Sequence, residues 1–449
     1  MIRATIVTLA ILGLGGLGSP GPQQSFRAAA DNWPQWRGPG GLAVGAAEYP
    51  DTWSATERIA WKTPIPGRGH SSPVVWGDTV FLTTAIEGAP VPGNKPPIHM
   101  GWDMRLGYLH PDSVGSDRAH TLKALALDVR TGKLLWDVTL YDGPMYDDRH
   151  RKNTYASPTA VTDGSMVYAF FESAGLYALD MNGALKWKAD TNSIAKAGLG
   201  PGTSPVLFDR FVIVQCDQGM GERGSYIAAF DKTTGKEVWR TARTNRRSWA
   251  TPLLVTVDGR HELIASGAEA VIAYDPRTGK ELWRTDGTVG HPIPSSQFGH
   301  GLVFAFAGYP ANQRTVTAIR PGTGPADGAS RVVWRYTRGT AYTSSPILYG
   351  DNLYLITDGG IMTCLDAKTG TVKFQGGRMP IPAAFTASPV AFGDRMLFTS
   401  ETGDTFVLRA GETHEVIRTN TVDEPVFASP ALAAGMVLIR GQQHLFAIK

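Results

Sequence analysis

Short apolar runs separated by turn residues make up most of the chain. "SSPVVWGDTVFLTT" (Ser71 to Thr84) returns as "SSPILYGDNLYLIT" (Ser344 to Thr357). Each phrase holds a hydroxyl residue before proline, an apolar run, a Gly-Asp turn and a second apolar run. Runs rich in Val, Tyr, Phe and Leu, bounded by Gly, Asp and Asn, predict strands. Turn residues of this kind suit tight hairpins, which need positive φ. The start recurs at Ser72-Pro73, Ser157-Pro158, Ser204-Pro205, Thr251-Pro252, Ser345-Pro346, Ser388-Pro389 and Ser429-Pro430, and at Ser296-Gln297 with Gln in the proline place. That makes eight starts. No long, capped amphipathic helix pattern interrupts them.

A second marker closes each repeat. "LALDVRTGKLLW" ends at Trp136, "LYALDMNGALKW" at Trp187, "IAAFDKTTGKEVW" at Trp239 and "VIAYDPRTGKELW" at Trp283. A stretched version ends at Trp334, and Phe374 stands in the Trp place of the sixth repeat. The glycine four residues before each of the first four Trp suits a left-handed turn. The Trp then falls at one register of a last strand, where its ring can fill the gap to the next sheet. Four strands in units of roughly 40–50 residues predict an all-β fold, an eight-bladed β-propeller with four antiparallel strands per blade. The last repeat ends after a third strand, at "HLFAIK". "ERIAWKTPIPG" places Trp61 twelve residues before Pro73, as Trp334 stands before Pro346. The N-terminal strand around Trp61 is therefore expected to complete the final blade and remove the open sheet edge.

The organisation expected is a signal peptide over 1–30, an N-terminal extension over 31–58, and the propeller over 59–449 with an insertion at about 87–119. The signal reading rests on Arg3, the apolar stretch Ala4 to Leu17 and the small residues Ala28 to Ala30. Its removal takes away Arg3 and Arg27 and no acid, so the net charge falls from +3 by two. The near-neutral remainder argues against nucleic acid as a partner. It holds no further integral membrane span. The chain is expected to be periplasmic or secreted and monomeric. Cys216 and Cys364 fall in different repeats, form no CxxC pair and offer no lipoprotein site; they read as buried free thiols.

With these motifs the chain resembles the PQQ-like β-propeller repeat family over about Ile59 to Lys449. The family includes quinoprotein alcohol dehydrogenases and the non-catalytic, BamB-like propeller of outer-membrane protein assembly. "NWPQWRGPGG" (Asn32 to Gly40 and onward) is similar to the leader of a bacterial, exported subgroup. The resemblance implies the fold and does not choose a function.

Ligands of propellers use the mouth of the ring. Counting three places before each repeat proline (or Gln297) gives His70, Tyr155, Gly202, Trp249, Pro294, Thr343, Thr386 and Phe427. The Ser or Thr just before the proline suits backbone bonding on a crowded axis. His70, Tyr155, Trp249 and Phe427 either plug the axis or stack on a planar ligand. Arg246, Arg247 and Arg338 lie in adjacent loops and could bind carboxylates. Together these seven make a coherent site for PQQ, held with Ca²⁺. Against it, catalytic members of the resembled family carry adjacent cysteines and carboxylate ligands for Ca²⁺, and none of the aligned mouth residues is acidic. Glu172, Asp217, Glu269, Asp358 and Glu401 fall near second-to-third-strand turns. The insertion and the loop Tyr141 to Asn153 carry His99, His110, His120 and His150, which are candidate metal ligands without a known spacing. Trp102, Met104, Tyr108, Met145 and Tyr146 there suit a protein-binding patch.

These features favour a non-catalytic cell-envelope scaffold that binds an envelope protein or a small polar ligand through its loops and mouth. A PQQ-dependent alcohol dehydrogenase-like quinoprotein and a carbohydrate or peptide binder are the alternatives.

Overall fold

Each repeat folds into a four-stranded antiparallel sheet, and eight such sheets form the ring. The structure is a computed structural model that describes residues 32–100, 105–191, 198–219, 224–245, 247–286, 288, 290–308, 314–323 and 329–449. The expected signal segment, Arg246, Trp102 and Met104 lie outside them. Blade 1 runs from the inner strand Val74–Trp76 through Thr79–Pro90 and Arg118–Asp128 to the outer strand Leu134–Pro144. The inner strands of blades 2 to 7 are Val161–Thr162, Val206–Phe208, Leu253–Val257, Gln297–Gly299, Ile347–Tyr349 and Val390–Phe392. Blade 8 combines Ala431–Ala433, Met436–Arg440 and His444–Ile448 with the N-terminal strand Ile59–Pro64. Trp61 pairs with Ala447 and Thr63 with Leu445, so the ring closes as the repeat count requires.

The repeat motif has a physical reason in the joints between blades. Every blade Trp pairs with an alanine on the third strand: Trp136 with Ala126, Trp187 with Ala178, Trp239 with Ala229, Trp283 with Ala273 and Trp334 with Ala318. The small partner lets the ring lean outward onto the next blade. There it meets a turn glycine. A Cβ at Gly132 would stand 2.5 Å from the Trp61 ring, and the backbone there has φ +70°. Both facts demand glycine. Gly183, Gly235, Gly279 and Gly370 meet the rings of Trp136, Trp187, Trp239 and Trp334 in the same way. Four indole N–H groups then donate to a main-chain carbonyl across the joint, Trp61 to Val129 at 2.9 Å, Trp136 to Met181 at 3.0 Å, Trp187 to Lys232 at 3.0 Å and Trp334 to Ala367 at 3.1 Å, whereas that of Trp239 has no acceptor among the described residues. The motif glycine thus serves the tryptophan of the preceding blade, not its own.

The joint between blades 4 and 5 departs from this pattern. Here no glycine among the described residues of the stretched turn meets Trp283. Its Nε1 donates to the buried carboxylate of Glu262 at 2.7 Å, and the Arg331 guanidinium lies 5.0 Å from the ring centre.

The extension does not trail from the ring. It crosses the end face that carries the hairpins between inner and second strands. Trp33 bridges to Val75 of blade 1, and Thr162 of blade 2 donates to Pro34 O. Gln297 of blade 5 donates to Gly41 O, Arg37 bonds blade 6, Ala43 and Gly45 bond Ala391 of blade 7, and Tyr49 bonds Leu432 O of blade 8. Trp33, Ala43, Tyr49 and Trp53 are buried in the same apolar cluster as blades 6, 7, 8 and 1. Cys216 and Cys364 are free and buried, as expected. Among the described residues no helix is long and apolar enough to cross a membrane.

Candidate functional sites at the two ends of the ring axis

The inner strands converge on a ring of hydroxyls. Backbone N–H of Ser72 donates to Thr159 Oγ1 at 2.9 Å, Thr159 to Ser204, Ser204 to Thr251, Thr251 to Ser295, Ser295 to Ser345, Ser345 to Ser388 and Ser388 to Ser429, all between 2.8 and 3.0 Å. Each hydroxyl satisfies a neighbour's backbone where no sheet partner exists. Two members differ from the proline-based alignment. Blade 2 uses Thr159, two residues beyond Ser157, and blade 5 uses Ser295, one before Ser296. Ser157 is instead tied into its own loop, with its hydroxyl donating to Thr154 O.

That shift takes Tyr155 out of the mouth register. It is 3% exposed, its hydroxyl donates to Asp147 O at 2.7 Å, and its ring meets His120 edge-on at 4.7 Å. The other aromatic candidates do reach the mouth. His70 and Phe427 stack with centroids 4.9 Å apart. Trp249 packs against Gly202, donates to Gly200 O at 2.9 Å and meets His291 edge-on. Arg247 lies over the Tyr108 ring, and Arg338 is exposed. Burial and the nearby Arg440, Arg68 and Arg149 push the His70 imidazole down to about 3, so it is neutral at physiological pH.

Arg440 closes this end from blade 8. It is 2% exposed and bonds only oxygens of Ser71 and Thr83, the carbonyl of Thr83 at 2.7 Å. Arg440, His70, Arg68 and Phe427 surround a space of about 10 Å³. The acids near the turns are partnered: Arg243 forks onto Asp217 at 2.7 and 3.0 Å, Arg314 reaches Asp358, and Thr386 donates to Glu401. Lys152 of the loop before blade 2 also reaches Glu401 of blade 7, at 3.0 Å, spanning the mouth.

The first-blade insertion rises from the long strands Thr79–Pro90 and Arg118–Asp128, which outreach their counterparts. The four histidine candidates separate here. His99 is buried against Asp147, Nε2 to Oδ1 at 2.8 Å, and this pair pins the insertion to the next loop. His120 packs on Tyr155. His110 and His150 come together with Asp112, their ligand atoms all within 4.8 Å of one another. Both rings already accept a backbone N–H at Nδ1, from Asp112 and from Lys152, each at 3.1 Å. The ring proton then resides on Nε2, which in His150 faces Asp112 at 3.3 Å. As arranged, the trio is a hydrogen-bonded clasp between insertion and loop, and a metal would have to displace those contacts.

The opposite end holds what the sequence-based alignment did not reach. Arg37, in the leader phrase, is 2% exposed and forks onto the carbonyls of Ser345 at 3.1 Å and Pro346 at 2.8 Å. Desolvation brings its guanidinium down to about 9. Beside it lies a cavity of about 210 Å³, walled by the leader and by the inner strands of blades 3, 4 and 5. The one signal in the sequence was an arginine set between tryptophan and glycines in a segment otherwise poor in charge.

Fold and closure define an eight-bladed β-propeller. The family model described as "Outer membrane protein assembly factor BamB" matches residues 223–377, from blade 3 into blade 6. The match spans about a third of the chain, and the same repeat pattern continues round the ring outside it. A search of curated protein sequences returned no match. Among solved structures, BamB from Moraxella catarrhalis superposes with a TM-score of 0.52 at 14% identity, covering 82% of this chain and 100% of that one. The computationally designed Ika8 protein gives 0.50 at 11%, covering 81% and 99%. A europium-containing methanol dehydrogenase gives 0.49 at 12%, covering 92% and 90%. At 14% and 11% identity, the BamB and Ika8 likenesses establish the fold alone.

Proposed function

We propose that the protein is a non-catalytic binding scaffold of the cell envelope, exported and monomeric, that holds an envelope protein through its first-blade insertion. One observation carries the reading. Ile98, Leu106 and Leu109 of the insertion are 69%, 71% and 59% exposed, and Val114 and Tyr146 beside them are also exposed. The other exposed apolar side chains lie mostly singly on outer strands, one blade apart. A concentrated apolar patch on loops over a rigid ring is the form of a protein-docking surface. The buried His99–Asp147 pair pre-organises it, which lowers the ordering cost of binding. The BamB description of the matching family model is consistent with an assembly role of this kind.

The mouth is a poor fit for a planar tricarboxylate quinone. His70 and Phe427 cover one another, Trp249 is spent on Gly200 and Gly202, and the space of about 10 Å³ beside His70, Phe427 and Arg440 is too small for a ring system.

The test is site-specific crosslinking from Leu106 in cells, comparing wild type with Ile98→Asp/Leu106→Asp/Leu109→Asp. The triple variant should keep its melting temperature and lose a discrete crosslinked envelope protein. An unchanged crosslinking pattern sinks the reading. So does saturable PQQ binding with dye-coupled alcohol oxidation in the presence of Ca²⁺.

A further inference from the structure

The leader end of the axis holds a cavity of about 210 Å³, built from two chemistries. Trp36, Pro205, Val206, Leu207, Leu253 and Leu254 make an apolar wall. Arg37 and the hydroxyl residues Thr251, Ser295 and Ser296 make a polar one. Thr251 and Ser295 belong to the hydroxyl ring, so the cavity sits against the axis, between that ring and the crossing leader.

Arg37 is the unusual member. Its terminal nitrogens meet two carbonyls, but its Nε–H has no acceptor. Among the described residues no carboxylate pairs with it. A buried guanidinium with no counter-charge is costly, because carbonyl dipoles offset only part of the lost hydration. Two other buried arginines are treated differently: Arg243 has Asp217, and Arg149 has Glu87. Arg440 shares the lack of an acid, but beside it there is room for about 10 Å³ and nothing larger. Arg37 thus combines a buried cation that has no carboxylate partner among the described residues with adjoining space for a ligand.

The geometry points to a binding site for a small organic carboxylate with an apolar body, its carboxylate set against Arg37 and the cavity hydroxyls and its body against Trp36, Val206 and Leu254. An anion there supplies the missing counter-charge by charge-assisted hydrogen bonds. A cavity of 150 Å³ holds benzene, so 210 Å³ suits roughly eight to ten heavy atoms. The site is independent of the docking patch, which lies on the opposite face.

Phenylacetate fits that description and serves as the probe. Calorimetric titration and thermal-shift measurement on the full-length protein would compare it with the neutral phenylacetamide and with inorganic phosphate. Phenylacetate should bind saturably and raise the melting temperature in a concentration-dependent way. Phenylacetamide should bind at least tenfold more weakly, and phosphate should give no saturable signal. Arg37→Gln should abolish the preference for the acid over the amide. Should Arg37→Gln not fold, Leu254→Trp, which fills the cavity and keeps the arginine, should abolish phenylacetate binding. The proposal is overturned if phenylacetate does not bind at millimolar concentration, if Leu254→Trp binds it as well as wild type, or if acid and amide bind alike. Phosphate binding in preference to phenylacetate overturns it too.

Discussion

The two ends of the ring axis are each stopped by a buried arginine held on main-chain oxygens, yet they are closed by different means. At the mouth the stopper is Arg440, a blade residue, and the stacked His70 and Phe427 come from the strands or loops of adjacent blades 1 and 8. Side chains that arise from the converging strands fill the axis and leave about 10 Å³. At the other end the stopper is Arg37, carried by a segment that crosses the face from blade to blade. A crossing backbone cannot follow the taper of eight strands, and about 210 Å³ remains under it. Closure from within the blades consumes the axis, whereas closure from outside encloses part of it. A ligand site is therefore better sought at the end that the repeats do not form.

The largest way to break that contrast is to remove the tryptophan that anchors each closure. Trp33 is 1% exposed and folds the leader back on itself, since a Cβ on Gly38 would stand 2.6 Å from its ring. Trp61 is 8% exposed and joins blade 8 to blade 1. Either substitution by alanine should cost about 3–5 kcal/mol, but with different signatures. Trp61→Ala should lower the cooperative melting temperature of the whole ring, because it loosens the N-terminal strand that pairs with the chain's last strand to complete blade 8. Trp33→Ala should first expose the leader to limited proteolysis at temperatures where the ring persists. Identical proteolysis and melting curves for the two variants would show that leader and ring are one cooperative unit.

The ring was legible because its code is local and repeated. Hydroxyl-proline starts, turn glycines and the terminal tryptophans each answer to a contact that recurs at joint after joint, and the missing strand could be counted. The site was less legible because it depends on single events. A shift of two residues in blade 2 replaces Ser157 by Thr159 and sends Tyr155 into a loop core instead of the mouth. Nothing within "NTYASPTAV" distinguishes the two registers, since both offer a hydroxyl at a suitable place. The leader stands out by its composition, but its path is set by contacts distant in sequence, several of them more than 300 residues apart, such as Arg37 to Ser345 and Tyr49 to Leu432. No periodicity reports those. The four histidines of the insertion illustrate the same limit: His110 and His150 meet, while His99 and His120 take other partners.

Acid distinguishes the ends next. His70 at the mouth is held down to about 3 by burial and by Arg440, Arg68 and Arg149, whereas an unfolded histidine titrates near 6.5. Between those values the unfolded chain takes up a proton that the folded chain refuses. The His70 contribution is thus complete above pH 6.5 and is lost as pH falls toward 3. Urea unfolding of wild type and His70→Gln should show a stability difference that changes between pH 7 and pH 4, the variant losing less on acidification. His291, also held down to about 4, contributes the same sign to both proteins and cancels in the difference. Parallel stability profiles for wild type and His70→Gln would mean that the mouth imidazole is not protected from protonation.

The smallest effect tests the hydroxyl ring between the two ends. Seven of its steps are bonded, but Ser72 Oγ has no partner, so the chain of bonds is open at the seam between blades 8 and 1. That is the joint where Arg440 bonds the Ser71 carbonyl and the inner strands meet without chain continuity. Ser388 Oγ, by contrast, accepts from Ser345 N at 2.9 Å in a buried setting. Ser388→Ala leaves that N–H without an acceptor and should cost about 1–2 kcal/mol. Ser72→Ala removes a hydroxyl that satisfies nothing and should be neutral or slightly stabilising, because an unpaired buried hydroxyl is itself unfavourable. Chemical denaturation of the two variants, at pH 7 with m-values compared, decides the point. Equal losses would mean that the ring of bonds closes at the seam in solution, and the two blade ends would then be joined as tightly at the axis as any other pair.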